Sequence, residues 1–124
     1  MLILKFTSTL KKNHEFKRLY SKGKSAASQC VVVYCRRNGK DGNRIGFTVS
    51  TKVGGAVQRN LIRRRLREIY RLNEEKLRSG YDIVIVARVR SRYVGYYEME
   101  SSVLSLFRKL NIMKDTDAAA KRGS

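Results

Sequence analysis

The chain of 124 residues contains 28 lysines and arginines against 10 aspartates and glutamates, which gives a formal net charge of +18 at pH 7. This length is enough for one domain with a modest core, and the charge indicates an anionic partner, either nucleic acid or an anionic membrane surface. The four-residue apolar run at the start is too short for a signal peptide, and no stretch approaches the roughly 18 apolar residues of a membrane span, so we expect a cytoplasmic protein.

The first predicted element is a short helix. Asn13 is predicted to cap it, and it continues through Tyr20 and ends near Gly23. Phe16 and Tyr20 are four residues apart and therefore share one face of this helix. A helix of about two turns is marginal alone, so it must dock on the rest of the protein. Residues 25–29 are predicted to be a connector.

Two β-strands are predicted next. Residues 30–35 are rich in β-branched side chains, and residues 44–50 form the second run. Alternation places three side chains of the first strand on one face: Cys30, Val32 and Tyr34. The Asn-Gly and Asp-Gly pairs between the runs predict a β-hairpin. Gly46 leaves room for a side chain or a ligand to approach the sheet closely.

The strongest charge pattern predicts a long helix over residues 55–78, called here the arginine helix. Its apolar side chains fall on one side and can anchor it to a core: Ile62, Leu66, Ile69, Tyr70 and Leu77. Cations and one amide gather on the adjacent side: Asn60, Arg63, Arg64, Arg67 and Arg71. Neighbouring turns thus carry like charges, which repel by a few tenths of a kcal/mol per pair. The phosphates of an anionic partner would relieve that repulsion.

The last two elements complete an α+β domain. Residues 81–87 form a strand whose unbroken Ile-Val-Ile-Val run predicts burial on both faces and a central position. Residues 96–111 form the final helix. The predicted fold is a small mixed β-sheet of three to four strands packed with about three helices, in the order α-β-β-(β)-α-β-α. It occupies residues 1–113, and residues 114–124 are predicted to be a disordered tail.

A motif begins just before the arginine helix. It reads Lys52-Val53-Gly54, then Ala56-Val57-x-Arg59-Asn60-x-x-Arg63-Arg64-x-x-Arg67. This motif resembles the Arg-Asn-Arg signature of the bacterial ribonuclease P protein component, with Leu61 at a position that is usually basic. The similarity covers about residues 9–112. It implies a ribosomal protein S5 domain 2-like fold with a left-handed crossover around the arginine helix, whereas the general rule predicts a right-handed one.

The resemblance also implies a function and two binding sites. In that family the RNA subunit performs the magnesium-dependent hydrolysis that releases the 5′ leader of precursor tRNA, and the protein subunit binds the RNA and the leader. The residues implied for RNA binding are Lys52, Arg59, Asn60, Arg63, Arg64, Arg67 and Arg71. The residues implied for a leader-binding cleft are Lys12, Phe16, Tyr20 and Tyr34. The expected partners are the catalytic RNA subunit and precursor tRNA, with no DNA and no membrane.

The residues themselves suggest no catalysis by the protein. The ten acids are scattered, the single histidine, His14, is expected on the surface, and there is no nucleophile motif or P-loop. Cys30 and Cys35 face opposite sides of a strand, which argues against a disulfide, and no Cys/His cluster suggests zinc. We therefore expect no catalytic residue, no metal site and no cofactor bound stably by the protein, with Mg²⁺ acting in the RNA subunit.

Two other interpretations of the arginine helix stay open. A generic RNA- or DNA-binding module, such as a ribosomal protein, would carry the same cationic helix, and low-salt binding to any RNA does not separate the two. A cationic helix on a membrane surface would turn its apolar stripe toward lipid. The predicted strands and the final helix favour a protein core as the surface that this stripe faces.

Overall fold

The structure, a computed structural model, describes residues 7–114. In chain order its elements are β1 (Thr7–Thr9), α1 (Asn13–Lys22), β2 (Lys24–Ala27), β3 (Val31–Arg37), β4 (Asn43–Val49), α2 (Ala56–Asn73), β5 (Tyr81–Ala87) and α3 (Tyr96–Lys109). Short 3₁₀ turns are Thr51–Val53, Glu74–Lys76 and Val89–Tyr93. The predicted α+β class is confirmed, and within residues 7–114 the sheet has five strands where three to four were predicted.

Strand β5 is the central strand of the sheet, as its apolar run predicted. The strand order is β1-β4-β5-β3-β2, with β5 parallel to β4 and antiparallel to β3. Ile83, Val84 and Ile85 point alternately to the two faces, and all three are fully buried. Both faces of the sheet are therefore covered at this strand. The handedness of the crossover from β4 through α2 to β5 stays a prediction.

The predicted hairpin between residues 30–35 and 44–50 is wrong, because β5 lies between β3 and β4. The Asn-Gly and Asp-Gly pairs belong to a loop that passes the start of β5. The backbone N–H of Asn38 donates to the Gly80 carbonyl at 2.9 Å, and its Nδ2 donates to Asp82 Oδ1 at 3.0 Å. A strand with apolar residues on both faces buries more surface between two neighbours than at an edge, and this non-local gain decides the pairing.

The two edge strands have weak sequence signals. The prediction of a connector over residues 25–29 is wrong for most of that segment, because Lys24–Ala27 pairs antiparallel with β3 as β2. At the other edge, β1 pairs in parallel with β4. Both strands consist of small or polar residues and are largely exposed. They therefore lack the apolar alternation that reveals a half-buried strand.

Two helix ends differ from the predicted ones. Lys12, rather than Asn13, is the N-cap of α1, and its backbone N–H donates to Glu15 Oε1 at 3.2 Å. Helix α2 ends at Asn73 instead of continuing to position 78. The chain then leaves the helix through a 3₁₀ turn and becomes extended at Leu77, so that this side chain reaches the core with 3% exposure.

The end of the described chain packs against the region after α2. Helix α3 lies within the predicted 96–111, and the backbone N–H of Lys114 donates to the Lys76 carbonyl at 2.8 Å. The remainder of the predicted tail, residues 115–124, lies outside the described residues. Within residues 7–114, no helix is both long and apolar enough to cross a bilayer.

Helices α2 and α3 cover one face of the sheet, and α1 covers the other. The larger core cluster joins α2 and α3 to strand residues that include Val31, Val33, Ile83 and Ile85. The smaller cluster contains Leu10, Leu19 and Val84, with Phe16, Tyr34 and Val86 packed against it. Cys30 belongs to the larger cluster, so its predicted position beside Tyr34 is wrong. It precedes β3, in a turn where its N–H donates to Ser28 Oγ at 3.3 Å, and strand alternation begins only at Val31.

Candidate nucleic-acid interface

The arginine helix is held against the sheet by its apolar stripe, as predicted. Four side chains are at most 1% exposed: Ile62, Leu66, Ile69 and Tyr70. The Tyr70 hydroxyl lies 2.8 Å from Thr7 Oγ1, which ties α2 to β1. Burial raises the pKa of Tyr70 to about 12, so the buried phenol is neutral at pH 7. The helix is therefore a firmly anchored support for the side chains on its other side.

The outer side of the arginine helix carries the predicted cationic residues. Asn60, Arg64 and Arg67 are exposed, whereas Arg59, Arg63 and Arg71 are half-buried. The ion pairs found within residues 7–114 include none of Arg59, Arg63, Arg64 and Arg67. These like charges therefore keep the mutual repulsion that their spacing implies. Lys52 is also exposed, in the 3₁₀ turn that leads from β4 toward α2.

Local contacts orient individual arginines. Arg63 Nη1 donates to Asn60 Oδ1 at 3.2 Å, and the guanidinium carbon of Arg67 lies 5.9 Å from the centroid of an aromatic ring on β4. Arg71 donates to both carboxylate oxygens of Glu68, at 3.0 and 2.7 Å. These hydrogen bonds lower the pKa of Glu68. The charge of Arg71 is thus offset by a neighbouring acid.

On the opposite face of the sheet, Phe16 of α1 lies directly over Gly46 of β4. A Cβ atom on Gly46 would be 2.6 Å from Cε1 and Cζ of the Phe16 ring, closer than side chains approach one another. The absence of that atom lets α1 lie close to the sheet. The prediction that Gly46 makes room for a side chain is confirmed.

The three aromatic residues predicted for the cleft are brought together by this docking. The rings of Tyr20 and Tyr34 meet edge to face, with centroids 5.0 Å apart, and the Tyr20 hydroxyl lies 2.9 Å from Thr48 Oγ1. Tyr20 is 41% exposed, and Phe16 and Tyr34 are half-buried. Lys12 is exposed at the start of the same helix. The result is a partly exposed aromatic surface between α1 and the sheet, called here the aromatic cleft.

The pairing of the strands adds Thr48 and Val86 to the residues beside Tyr34. Val86 is paired in register with Thr48 on one side and with Val32 on the other, and all three are half-buried. They share the face of the sheet that carries Tyr34, because directly opposed residues of neighbouring strands point the same way. Alternation along β3 predicted the face of Val32, whereas only the strand pairing decides that Thr48 and Val86 lie beside it.

Arg44 fixes α1 beside the sheet. Its Nε and Nη2 donate to the two oxygens of Asp82 at 2.8 and 2.6 Å, and its Nη1 forms an ion pair with Glu15 of α1. Hydrogen bonds to Asp82 are the main cause that raises the pKa of Arg44. The pKa of Glu15 is lowered chiefly by the hydrogen bond from the Lys12 backbone N–H, with Arg44 contributing. No local pattern predicts this arrangement, because its members lie on three different elements.

Comparison with known proteins identifies the family. The family model described as Ribonuclease P matches residues 4–111. The chain is 44% identical over 110 residues to the ribonuclease P protein component of Alkaliphilus oremlandii, covering 89% of this chain and 96% of that protein. It is 42% identical over 107 residues to that of Clostridioides difficile, covering 86% and 94%. This chain belongs to the ribonuclease P protein family.

Solved structures of ribonuclease P proteins have the same fold. The protein from Staphylococcus aureus is similar with a TM-score of 0.79 at 32% identity, covering 86% of this chain and 97% of that one. The protein from Thermotoga maritima is similar with a TM-score of 0.73 at 31% identity, covering 79% and 93%. As a ribonuclease P protein component, the chain is a subunit of an endoribonuclease complex for tRNA 5′ processing, and an RNA subunit is its implied partner.

One position of the ribonuclease P motif departs from the usual pattern. Leu61, at a position that is usually basic, is half-buried on α2. Arg65, also half-buried, directs its Nη1 to the Val94 carbonyl at 3.5 Å. Within residues 7–114, no group of three or more His, Cys, Asp or Glu side chains is placed to hold a metal ion.

The docking of α1 leads to a prediction about acid stability. Because the pKa of Glu15 is lowered on folding, its contribution to stability is fully present above the unfolded pKa of about 4.3 and is lost as pH falls through the folded value. Glu15→Gln should therefore be less stable than the wild type at neutral pH, and the difference should shrink as the solution is acidified. Glutamine at this position keeps an oxygen that can accept the capping hydrogen bond, so the difference in stability reports the effect of the charge alone.

Urea unfolding at a series of pH values measures this difference. Glu98→Gln is the matched control, since Glu98 is exposed in the first turn of α3 and outside the ion pairs of the described chain. A stability difference for Glu15→Gln that stays constant from neutral to acidic pH would contradict the role given to its charge.

Proposed function

We propose that the chain binds the RNA subunit of ribonuclease P with the arginine helix and the 5′ leader of precursor tRNA with the aromatic cleft. The observation that carries this proposal is the placement of the two surfaces on opposite faces of one sheet. Helix α2 lies on the face of the larger core, and α1 with the cleft lies on the other. Two different RNA segments can then be held at once without competing for the same side chains.

The arginine helix suits the phosphates of a structured RNA. Its guanidinium groups offer paired donors that match phosphate oxygens, and four of its arginines have no acidic partner in the described ion pairs. The buried stripe fixes the helix, so binding does not require the backbone to become ordered. The proposed contact residues are Lys52, Arg59, Asn60, Arg63, Arg64, Arg67 and Arg71.

The aromatic cleft suits an unpaired strand of varied sequence. Aromatic faces stack on unpaired bases with about 1–3 kcal/mol per base and little sequence preference. Phe16, Tyr20 and Tyr34 supply the rings, and Lys12 supplies a cation at the same helix. Leaders differ in sequence from one tRNA to the next, so this tolerance fits such a ligand.

Catalysis is proposed for the RNA subunit with Mg²⁺, and not for this chain. Glu15, Asp82 and Glu68 are each engaged by an arginine, so these acids serve the protein structure instead of standing ready for a metal. No stably bound cofactor is proposed for the protein. The proposed partners are the RNA subunit and precursor tRNA, without DNA or membrane, and the proposed location is the cytoplasm, where tRNA is processed.

A cleavage assay tests the proposed function. The chain should stimulate cleavage of precursor tRNA by a bacterial ribonuclease P RNA at low magnesium concentration, because it adds binding free energy for the leader. The protein freed of RNA should show no cleavage at any magnesium concentration. A generic RNA-binding protein of similar charge is the control for non-specific stimulation. Turnover by RNA-free protein, or stimulation no greater than that control, would overturn the proposal.

The second prediction concerns the arginine helix. Arg63→Ala, Arg64→Ala and Arg67→Ala together should leave the protein folded, because the buried stripe is unchanged, and should weaken binding to the RNA subunit. Loss of about three phosphate contacts should make the slope of log affinity against log salt shallower by roughly two to three units. Lys17→Ala, Arg18→Ala and Lys76→Ala remove the same charge from exposed positions elsewhere. An equal change of slope in both triple variants would refute the arginine helix as the binding surface.

The third prediction concerns the aromatic cleft. In the assembled complex, Tyr34→Ala should weaken binding of precursor tRNA by roughly 1–2 kcal/mol, the value of one stacking contact, and should spare mature tRNA. Phe16→Ala should act similarly and cost more stability, because its ring fills the space over Gly46. The measurement is the affinity of each assembled complex for precursor tRNA, which carries the leader, and for mature tRNA, which lacks it. Equal losses for both RNAs would place these rings outside the leader path.

A further inference from the structure

One side of the arginine helix has no role in the two sites above. Gln58, Leu61 and Arg65 are three and four residues apart, so they form a row along this side, and all three are half-buried. Leu61, which departs from the usual basic pattern, is the middle member of the row. Arg64 lies three residues beyond it, so the row borders the cationic side of the helix. The motif therefore places an apolar side chain at the edge of its phosphate-binding surface.

The 3₁₀ turn that follows β5 lies against this row. At one end, Arg65 Nη1 is directed to the Val94 carbonyl at 3.5 Å. At the other end, a Cβ atom on Gly54 would be 3.0 Å from Gln58 Cβ and 3.8 Å from Arg92 Nη1. The turn therefore runs beside the row over its whole length, with the motif leucine between the two contacts.

Tyr93 points from this turn into solvent. The chain is anchored on both sides of it, because Ser91 is fully buried and Val94 is 8% exposed, whereas Tyr93 itself is 69% exposed. The guanidinium carbon of Arg92 lies 5.3 Å from the centroid of the Tyr93 ring. The ring is thus held at the surface with a cation beside it.

A second exposed ring lies at the start of α3. Tyr97 is 81% exposed, and its ring meets that of Tyr96 edge to face, with centroids 5.3 Å apart. Burial raises the pKa of Tyr96, and the negative charges of Glu100 and Glu68 add to this effect. Because Glu68 is on α2, Tyr96 lies beside the arginine helix and supports the exposed ring next to it. Four residues are called here the tyrosine patch: Leu61, Arg92, Tyr93 and Tyr97.

The charges around the tyrosine patch favour a polyanion as its partner. Arg92 belongs to the patch and Arg65 borders it, whereas Glu68, the acid of α2, is already paired with Arg71. The exposed Glu98 points about 100° around α3 from the ring that precedes it. A second copy of the chain would bring a further net charge of +18 and be repelled. RNA supplies phosphates for the cations and, where it is unpaired, flat base faces for the rings.

We propose that the tyrosine patch binds an unpaired base of the RNA subunit, stacked on Tyr93, beside the phosphates held by the arginine helix. Leu61 offers that base an apolar contact at the position where a basic residue would bind a phosphate, and Arg92 binds the phosphate next to the base. The inference rests on the proposed function of the arginine helix and adds a base contact to it. Paired bases are stacked inside a duplex, so the nucleotide that is bound must be unpaired.

The test measures affinity for the RNA subunit over a range of salt concentrations. The alanine variant carries Tyr93→Ala and Tyr97→Ala, and the matched control carries Tyr93→Phe and Tyr97→Phe, which keep both rings. Neither variant changes the charge, and both side chains are exposed, so the fold should be retained, as urea unfolding checks. The alanine variant should bind at least about tenfold more weakly than the control, as expected for lost base stacking. Its salt slope should equal that of the control, because no phosphate contact of a removed cation is lost.

Several outcomes would overturn the inference. Equal affinities of the alanine variant and the phenylalanine control would remove the rings from the interface. A loss found only for precursor tRNA in the assembled complex would assign the rings to the leader. Unchanged RNA affinity with weaker binding to phosphatidylglycerol vesicles, or with weaker self-association, would assign them to a membrane or to a second copy. Failure of the proposed function would appear separately, as an arginine triple variant that binds the RNA subunit as tightly as the wild type.

Discussion

Strand β5 carries branched apolar side chains on both faces, and their burial requires a layer of helix on each side of the sheet. Burial of a valine or isoleucine side chain stabilises a protein by about 1.5–3 kcal/mol. Ile83, Val84 and Ile85 together thus contribute on the order of 5–9 kcal/mol, which is comparable with the whole net stability of a domain. This burial separates the arginine helix from α1 and so separates the two surfaces for which we propose RNA contacts.

The arginines of the protein have two different roles. Arg44 is held between Asp82 and Glu15 and fixes the position of a helix, whereas four arginines of α2 have no acid in the described ion pairs. Repulsion between exposed like charges on a helix costs only tenths of a kcal/mol per pair. Burial of the apolar stripe of α2 stabilises the protein by many times that cost, so the fold tolerates these like charges, for which we propose RNA phosphates as partners.

The position of α1 depends on two glycines. A helix of 10 residues has little stability alone. Close contact with the sheet near both of its ends stabilises α1. Phe16 occupies the space over Gly46, and Gly23 lets the chain turn back against the Cys35 backbone. The same contacts line up the aromatic rings on one face of the sheet. The proposed path for a single strand therefore follows from the way this short helix docks.

The sequence by itself determined the elements whose signals are local. The 3.6-residue period of α2 separated its apolar stripe from its arginines, and the apolar run of β5 predicted a central strand. Only the tertiary structure decided which strands are neighbours, that residues 24–27 form an edge strand, and that Val86 and Arg44 lie beside α1. These outcomes depend on free energy gained between segments far apart in the chain. The pattern of side chains within one segment shows the periodicity of that segment. It does not identify the other segment against which the first one packs.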